Sequence, residues 1–135
     1  MGVLIDSSVL IHFERSGQDF TGFVKNREEE EVFLSVISVS ELMHGVHRAA
    51  DPNIKARRLA FVEGVLGALP VIGIDTRTAR SHAQLWADLA RAGNMIGVHD
   101  SWLAATCLAH NLQLATANLR EFKRVPGLEV EDWNG

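Results

Sequence analysis

The sequence predicts a single α/β domain built on a parallel sheet. Short β-like runs alternate with helix-like segments along the whole chain, the order a parallel sheet requires because each crossover carries a covering helix. A length of 135 residues is the usual size of one domain and too short for two ordinary ones. Apolar residues make up 47% and charged residues 22%, a globular balance that needs neither a disulfide nor a structural metal to fold. No repeat, low-complexity tract or linker interrupts residues 1–135, which are read as one domain.

Val3-Leu-Ile5 is a short buried strand that stops at Asp6-Ser-Ser8, residue types suited to capping a helix. A helix through about Arg15 follows and ends near Gly17, and Phe20 to about Arg27 reads as another short helix. The acidic run Glu28 to Glu31 is expected as a solvated end. Val32 to Ile37 is the second strand, and Ser38-Val-Ser-Glu41 opens a helix that ends near Ala50. Asp51-Pro52 starts the next helix, with Asp as cap and Pro at the first helical position. Its Leu59, Val62, Leu66 and Leu69 recur at spacings of 3, 4 and 3 and make one apolar face. Pro70 to Ile74 is the third strand and ends at Asp75. Thr76 to Arg91 is a long helix, with Ala79, Ala83, Trp86 and Ala90 expected on its inner face, and Gly93 stops it. Asp100 to His110 is apolar on most sides, hence a helix buried against the sheet. Gln113 to Ala117 is the fourth strand, and a turn from Asn118 to Phe122 precedes a last edge strand, Leu128 to Trp133.

The net charge of −4 argues against a protein that coats nucleic acid non-specifically, but not against an enzyme that acts on it through metal ions. Arg48 with Lys55, Arg57 and Arg58, Arg77 with Arg80, and Arg120 with Lys123 and Arg124 form basic clusters, each read as a solvated helix face. The single cysteine, Cys107, lies in an apolar run and reads as a buried core thiol in a reducing compartment. There is no basic, secretion-type N-terminus, and Asp6 stands where a myristoylation motif needs Ser or Thr. No apolar stretch approaches the ~18 residues of a membrane span. The expected location is the cytoplasm, without a membrane anchor.

The placement of the acidic residues is informative. Asp6 follows the first strand, Glu41 lies just beyond the second, and Asn118 follows the fourth. In a parallel sheet these positions share the carboxyl edge, where ligands bind. Asp100 opens the helix leading into the fourth strand and reaches the same edge if that helix starts there. Carboxylates gathered in one pocket repel unless a cation joins them, and an all-oxygen set points to Mg²⁺ or Mn²⁺ rather than Zn²⁺. Helix capping is the competing account for Asp6 and Asp100. For Glu41 it is the capping box Ser38-x-x-Glu41. Asp75 fits a cap and is left out of the site. His44 and His47 sit three apart on one helix, but no third soft ligand accompanies them, and His99 is read as a loop histidine beside Asp100.

Four motifs in register resemble those of the PIN-domain ribonucleases, specifically the VapC-type toxins of toxin–antitoxin pairs. Leu4-Ile-Asp6-Ser-Ser-Val-Leu10 resembles the first acidic motif, and Ser38-Val-Ser-Glu41-Leu-Met-His-Gly45 the second. Gly93 through Gly97, Asp100 and Ala105 resembles the third, and Leu114-Ala-Thr116-Ala-Asn118-Leu-Arg-Glu-Phe122 the fourth. Val125-Pro-Gly-Leu128 to Trp133 resembles the final strand, so the likeness covers nearly the whole chain. The resemblance implies a three-layer α/β/α sandwich with a mostly parallel sheet of four to five strands. It makes Asp6, Glu41 and Asp100 the metal-coordinating acids, with Mg²⁺ as cofactor and Mn²⁺ as its substitute.

Asn118 holds a fourth place that the family commonly gives to Asp or Asn, and as a neutral amide it is a weaker ligand for a second ion, which favours one tightly held ion. It and Thr116 are assigned to positioning water or substrate, and Glu121 to a solvated turn. The implied activity is hydrolysis of RNA (a tRNA, an rRNA or an mRNA) to 5′-phosphate and 3′-hydroxyl ends, without use of the 2′-hydroxyl. The implied partners are a VapB-type antitoxin that covers the pocket and a second copy in a homodimer. A catalytically weak PIN-fold module that binds RNA or protein is the alternative. A phosphatase with Asp6 as nucleophile is disfavoured, because such enzymes want a second Asp two residues on, where Ser8 stands.

Overall fold

Strand β1 (Val3–Ile5) lies at the centre of the sheet, and none of its three apolar side chains touches solvent. Because side chains alternate across a strand, full burial means that both faces of the sheet are covered. In the computed structural model, which describes residues 2–27 and 30–133, β1 pairs in parallel with two neighbours. One is β2 (Val32–Ser35), in the register Val3↔Val32, and the other is β4 (Gln113–Thr116), in the register Val3↔Gln113. β3 (Val71–Ile72) extends the sheet beyond β2 and β5 (Val130–Asp132) beyond β4, both parallel, in the order β3-β2-β1-β4-β5.

The two faces are read off alternate residues. Val3, Ile5, Leu34 and Ala115 pack against helices α1 (Ser7–Ser16), α2 (Phe20–Lys25), α3 (Val36–Arg48) and α4 (Pro52–Ala68). Leu4, Phe33 and Leu114 pack against α5 (Thr76–Ala92), α6 (Val98–His110) and α7 (Leu119–Phe122). The result is the expected three-layer α/β/α sandwich. On the first face Phe13 is the aromatic hub, with ring centroids 5.3 Å from Phe20 and 5.0 Å from Phe23. Cys107 is buried on the second face, where loss of solvent raises its thiol pKa beyond the usual range. It is the inert core thiol the sequence implied.

Several boundaries differ from the sequence expectation, for local reasons. β2 stops at Ser35, not Ile37, because the Ser35 hydroxyl accepts the Ile37 N–H at 3.0 Å and caps α3 three residues before the expected Ser38. β3 keeps only two of the five residues from Pro70 to Ile74. The inner face of α5 is Thr78, His82, Leu85 and Leu89, one position round from the predicted alanine stripe, and Trp86 is 58% exposed. Two leucines offer more apolar area than alanines do, so that face wins the packing. On α4, Val62, Val65 and Leu69 are buried while Leu59 is 39% exposed. Residues 119–122 form the short helix α7 where a turn was expected. Of the acidic run, Glu28 and Glu29 lie outside the described residues, and Glu30 pairs with Arg27 at 2.9 Å. Among the described residues no helix is long and apolar enough to cross a membrane.

Candidate active site

Strand order reverses at β1. The chain moves outward from β1 to β2 and β3, then returns through α5 and α6 to lay β4 on the other side. A reversal of this kind opens a crevice at the carboxyl ends of the strands, the usual ligand position in open α/β sheets. Asp6 is the first residue past β1, and Thr116 is the last of β4.

Asp6 is 5% exposed and sits at the N-cap position of α1, yet its side chain makes no capping bond. Its Oδ2 instead accepts from the Ser8 hydroxyl at 2.7 Å and the Thr116 hydroxyl at 2.8 Å. Both donors fall on one oxygen, so Oδ1 has no hydrogen bond among the described residues. The arrangement is braced from behind: Ser8 Oγ accepts the Ala117 N–H at 3.1 Å, and Thr116 Oγ1 accepts the Asn118 N–H at 2.9 Å. Capping therefore does not account for Asp6.

Nor does it account for Glu41. α3 begins at Val36 and is capped by Ser35, so the box Ser38-x-x-Glu41 lies inside the helix and is not formed. The Ser38 hydroxyl is buried without a partner. Glu41 projects from the second turn toward α1, where Ser7 Oγ donates to Oε1 at 3.2 Å, and His99 Nδ1 lies 3.4 Å from Oε2. Asp100 is the third residue of α6, whose cap is Gly97, so it too is no cap. Asp75 by contrast caps α5, accepting the Thr78 N–H at 2.8 Å.

Glu121 is the residue that sequence reasoning undervalued. From α7 its Oε1 accepts the Gly97 N–H at 2.9 Å and its Oε2 accepts from the Asn118 side-chain amide at 3.2 Å. It also hydrogen-bonds Asp100. Burial pushes the Asp100 carboxyl up to about 7, helped by the bond to Glu121 and by the charges of Asp6, Glu121 and Glu41. The bond from Gly97 and the one from Asp100 hold Glu121 below the usual carboxylate range. Of the two groups, Asp100 is thus the one that protonates more readily. The only sequence signal for Glu121 was its spacing of three from Asn118, which puts both on one side of a helical turn.

Asp6, Glu41, Asp100, Thr116 and Asn118 therefore meet at one edge, joined by Ser7, Ser8 and Glu121. His44 and His47 are exposed on α3 and find no third ligand, and among the described residues no three His, Cys, Asp or Glu side chains are placed to hold a metal ion by themselves. The donor set nonetheless suits a hard cation. It is all carboxylate oxygen, one oxygen of the buried Asp6 accepts no hydrogen bond among the described residues, and the neighbouring carboxylates raise the Asp100 carboxyl, a repulsion that a cation would relieve. Mg²⁺ is commonly bound through one or two carboxylates with waters completing its shell, so a preformed three-residue cage is not required.

The model of the family described as PIN domain matches residues 3–128. The chain belongs to the PIN-domain family. Over 133 residues this PIN domain is 33% identical to Ribonuclease VapC1 of Rickettsia felis, an alignment covering 96% of this chain and 95% of the relative. It is 37% identical over 108 residues to the tRNA(fMet)-specific endonuclease VapC of Salmonella typhimurium, covering 80% of each. Among solved structures it is similar to a chain of the DNA-bound VapBC complex of Salmonella typhimurium, with TM-score 0.87, 31% identity and 98% of both chains covered. A chain of VapBC2 of Rickettsia felis bound to a promoter DNA fragment superposes with TM-score 0.88 over 98% of this chain and 99% of that one. At 24% identity, that last likeness speaks for the fold.

Proposed function

We propose that this PIN domain is a Mg²⁺-dependent endoribonuclease, the toxin of a type II toxin–antitoxin pair. The observation that carries the reading is the convergence of Asp6, Glu41, Asp100 and Glu121 at the switch point, with one oxygen of the buried Asp6 left without a hydrogen bond among the described residues. Asp6 and Asp100 would hold the ion, with Glu41 beside them. A bound Mg²⁺ supplies positive charge for the phosphodiester and lowers the pKa of a water.

The rest is work for the chain's own groups. Ser8 and Thr116 fix the Asp6 carboxylate through Oδ2 and leave Oδ1 available, and Ser7 holds Glu41 by one oxygen. Asn118 restrains Glu121, which keeps Asp100 turned toward the edge. The relatives named as ribonucleases and the VapBC complexes support RNA as substrate and a VapB-type antitoxin as partner. A homodimer and a cytoplasmic place of work complete the proposal. A weak PIN-fold binder would have less reason to keep four carboxylates where RNA must approach.

The test is incubation of purified protein with unfractionated tRNA, with Mg²⁺ and with EDTA. Cleavage that requires Mg²⁺, leaves 5′-phosphate ends and disappears in Asp6→Asn and Asp100→Asn is the expected result. Full activity in either variant would overturn the proposal.

A further inference from the structure

A groove of about 590 Å³ runs between α1, α3 and α4 and is also lined by Glu41 and His99. Away from those residues its walls turn basic, with Arg15 from α1, Arg48 from α3 and Arg58 from α4. An adjoining hollow shares Arg15, Arg58 and Phe61 and adds Arg57. Arg58 is engaged by Glu14 at 3.7 Å and donates to the Gly45 carbonyl at 3.1 Å. Arg15, Arg48 and Arg57 are exposed and form no ion pair among the described residues. On a chain of net charge −4, this leaves several guanidinium groups without an ion pair along the groove and its adjoining hollow, the groove itself reaching Glu41 of the carboxylate cluster.

The floor of the groove adds a second observation. Gly45 lies within α3, where glycine weakens a helix, and a Cβ there would meet nothing within 4 Å. No close packing explains the missing side chain. What it does is leave the channel open.

The geometry points to this groove as the track for the RNA strand leaving the cleavage site, with Arg15 and Arg48 binding backbone phosphates. Guanidinium forks match phosphate oxygens in two-point contact, and Phe61 offers a face on which a base can stack. The inference rests on the reading of the chain as an RNA-acting enzyme. It adds which surface outside the carboxylate cluster binds the substrate.

Binding separates the two claims. Fluorescein-labelled unfractionated tRNA is titrated by anisotropy against Asp6→Asn protein, which leaves the RNA uncut. Adding Arg15→Glu with Arg48→Glu is expected to weaken binding roughly tenfold or more at low salt. It should also flatten the dependence of log K on log salt by about 0.7–0.9 for each phosphate no longer bound. Arg15→Lys with Arg48→Lys should keep most of the salt dependence, and Gly45→Leu should weaken binding while leaving that slope unchanged. Arg80→Glu, on α5 outside the groove, is the control for general charge. If the Arg-to-Glu pair binds tRNA with parental affinity and slope, the track is refuted, even where the native chain cleaves RNA. If that pair loses affinity only for a polyglutamate peptide, the groove is a protein-docking surface and the inference is equally overturned. Groove-dependent binding by a native chain that never cleaves RNA would sustain the track and refute the ribonuclease.

Discussion

Asp100 and Glu121 meet at the carboxyl edge of the sheet, and proton binding there favours Asp100 over Glu121. Its carboxyl is pushed up to about 7 while that of Glu121 is held down, although the two acids stand on different helices. Glu121 is held beside Asp100 by bonds from the Gly97 N–H and the Asn118 side-chain amide. Gly97, which caps α6, donates its N–H to Glu121, so the start of α6 and the single turn of α7 are tied through the acid pair.

This pairing sets a pH dependence of stability. Asp100 has a folded-state pKa raised from 3.8 to about 7, so its contribution is fully present below the unfolded value and is lost as pH rises through the folded one. In EDTA the melting temperature should therefore decline between about pH 4 and pH 8. Mg²⁺ should restore several degrees at pH 8 and almost nothing at pH 4, because only an ionised site attracts it. Asp100→Asn should flatten the EDTA curve and remove most of the Mg²⁺ effect. Thermal melts across that range, with and without Mg²⁺, provide the check, and a Mg²⁺ response equal at both ends would contradict the cation site.

Thr116 is fully buried and links the Asp6 carboxylate to the Asn118 backbone. Thr116→Val keeps the shape and deletes the hydroxyl, which should cost about 1–3 kcal/mol in urea denaturation. Because Thr116 positions Asp6 and does not touch the substrate, cleavage should fall about 10–100-fold, as for groups that orient metal ligands. The loss should lie in kcat or in the Mg²⁺ requirement and leave the KM for RNA nearly unchanged. Thr116→Ser should recover most of it.

Two serines three residues apart should answer oppositely to alanine. Ser35 caps α3 and accepts a backbone N–H, so Ser35→Ala should destabilise by about 1 kcal/mol. Ser38 has a buried hydroxyl without a partner, so Ser38→Ala should be neutral or slightly stabilising. A sequence-based capping box centred on Ser38 predicts the reverse order, and chemical denaturation of the two variants decides between them.

The layer order and the edge at which Asp6 and Thr116 meet were legible because they depend on the alternation of apolar runs, which survives without tertiary detail. Asp6 itself was legible, since a short apolar strand ending in Asp marks a strand terminus wherever the chain folds. Less accessible was anything that depends on rotation about a helix axis. The inner face of α5 is one position round from the alanine stripe because leucine area at positions 85 and 89 outweighs spacing alone. The start of α3 was misplaced because Ser35 and Ser38 are equally good caps on paper, and only the end of β2 selects between them. Glu121 was undervalued for a similar reason: its partners Gly97 and Asp100 lie more than twenty positions away, and no local pattern joins them.

The central place of β1 has a consequence for how the protein is made. Asp6 and Thr116 stand 110 positions apart, and β4 pairs with β1 only after everything between them has been made. A ribosome that has already extended Asp6 and Glu41 has built no pocket, since Ser8 and Asp6 still lack the strand that braces them. Under the proposed activity, an enzyme that attacks RNA is assembled by machinery made of RNA. Its strand order defers completion of the site until β4 has been made, and a chain that stops short of β4 is released without one.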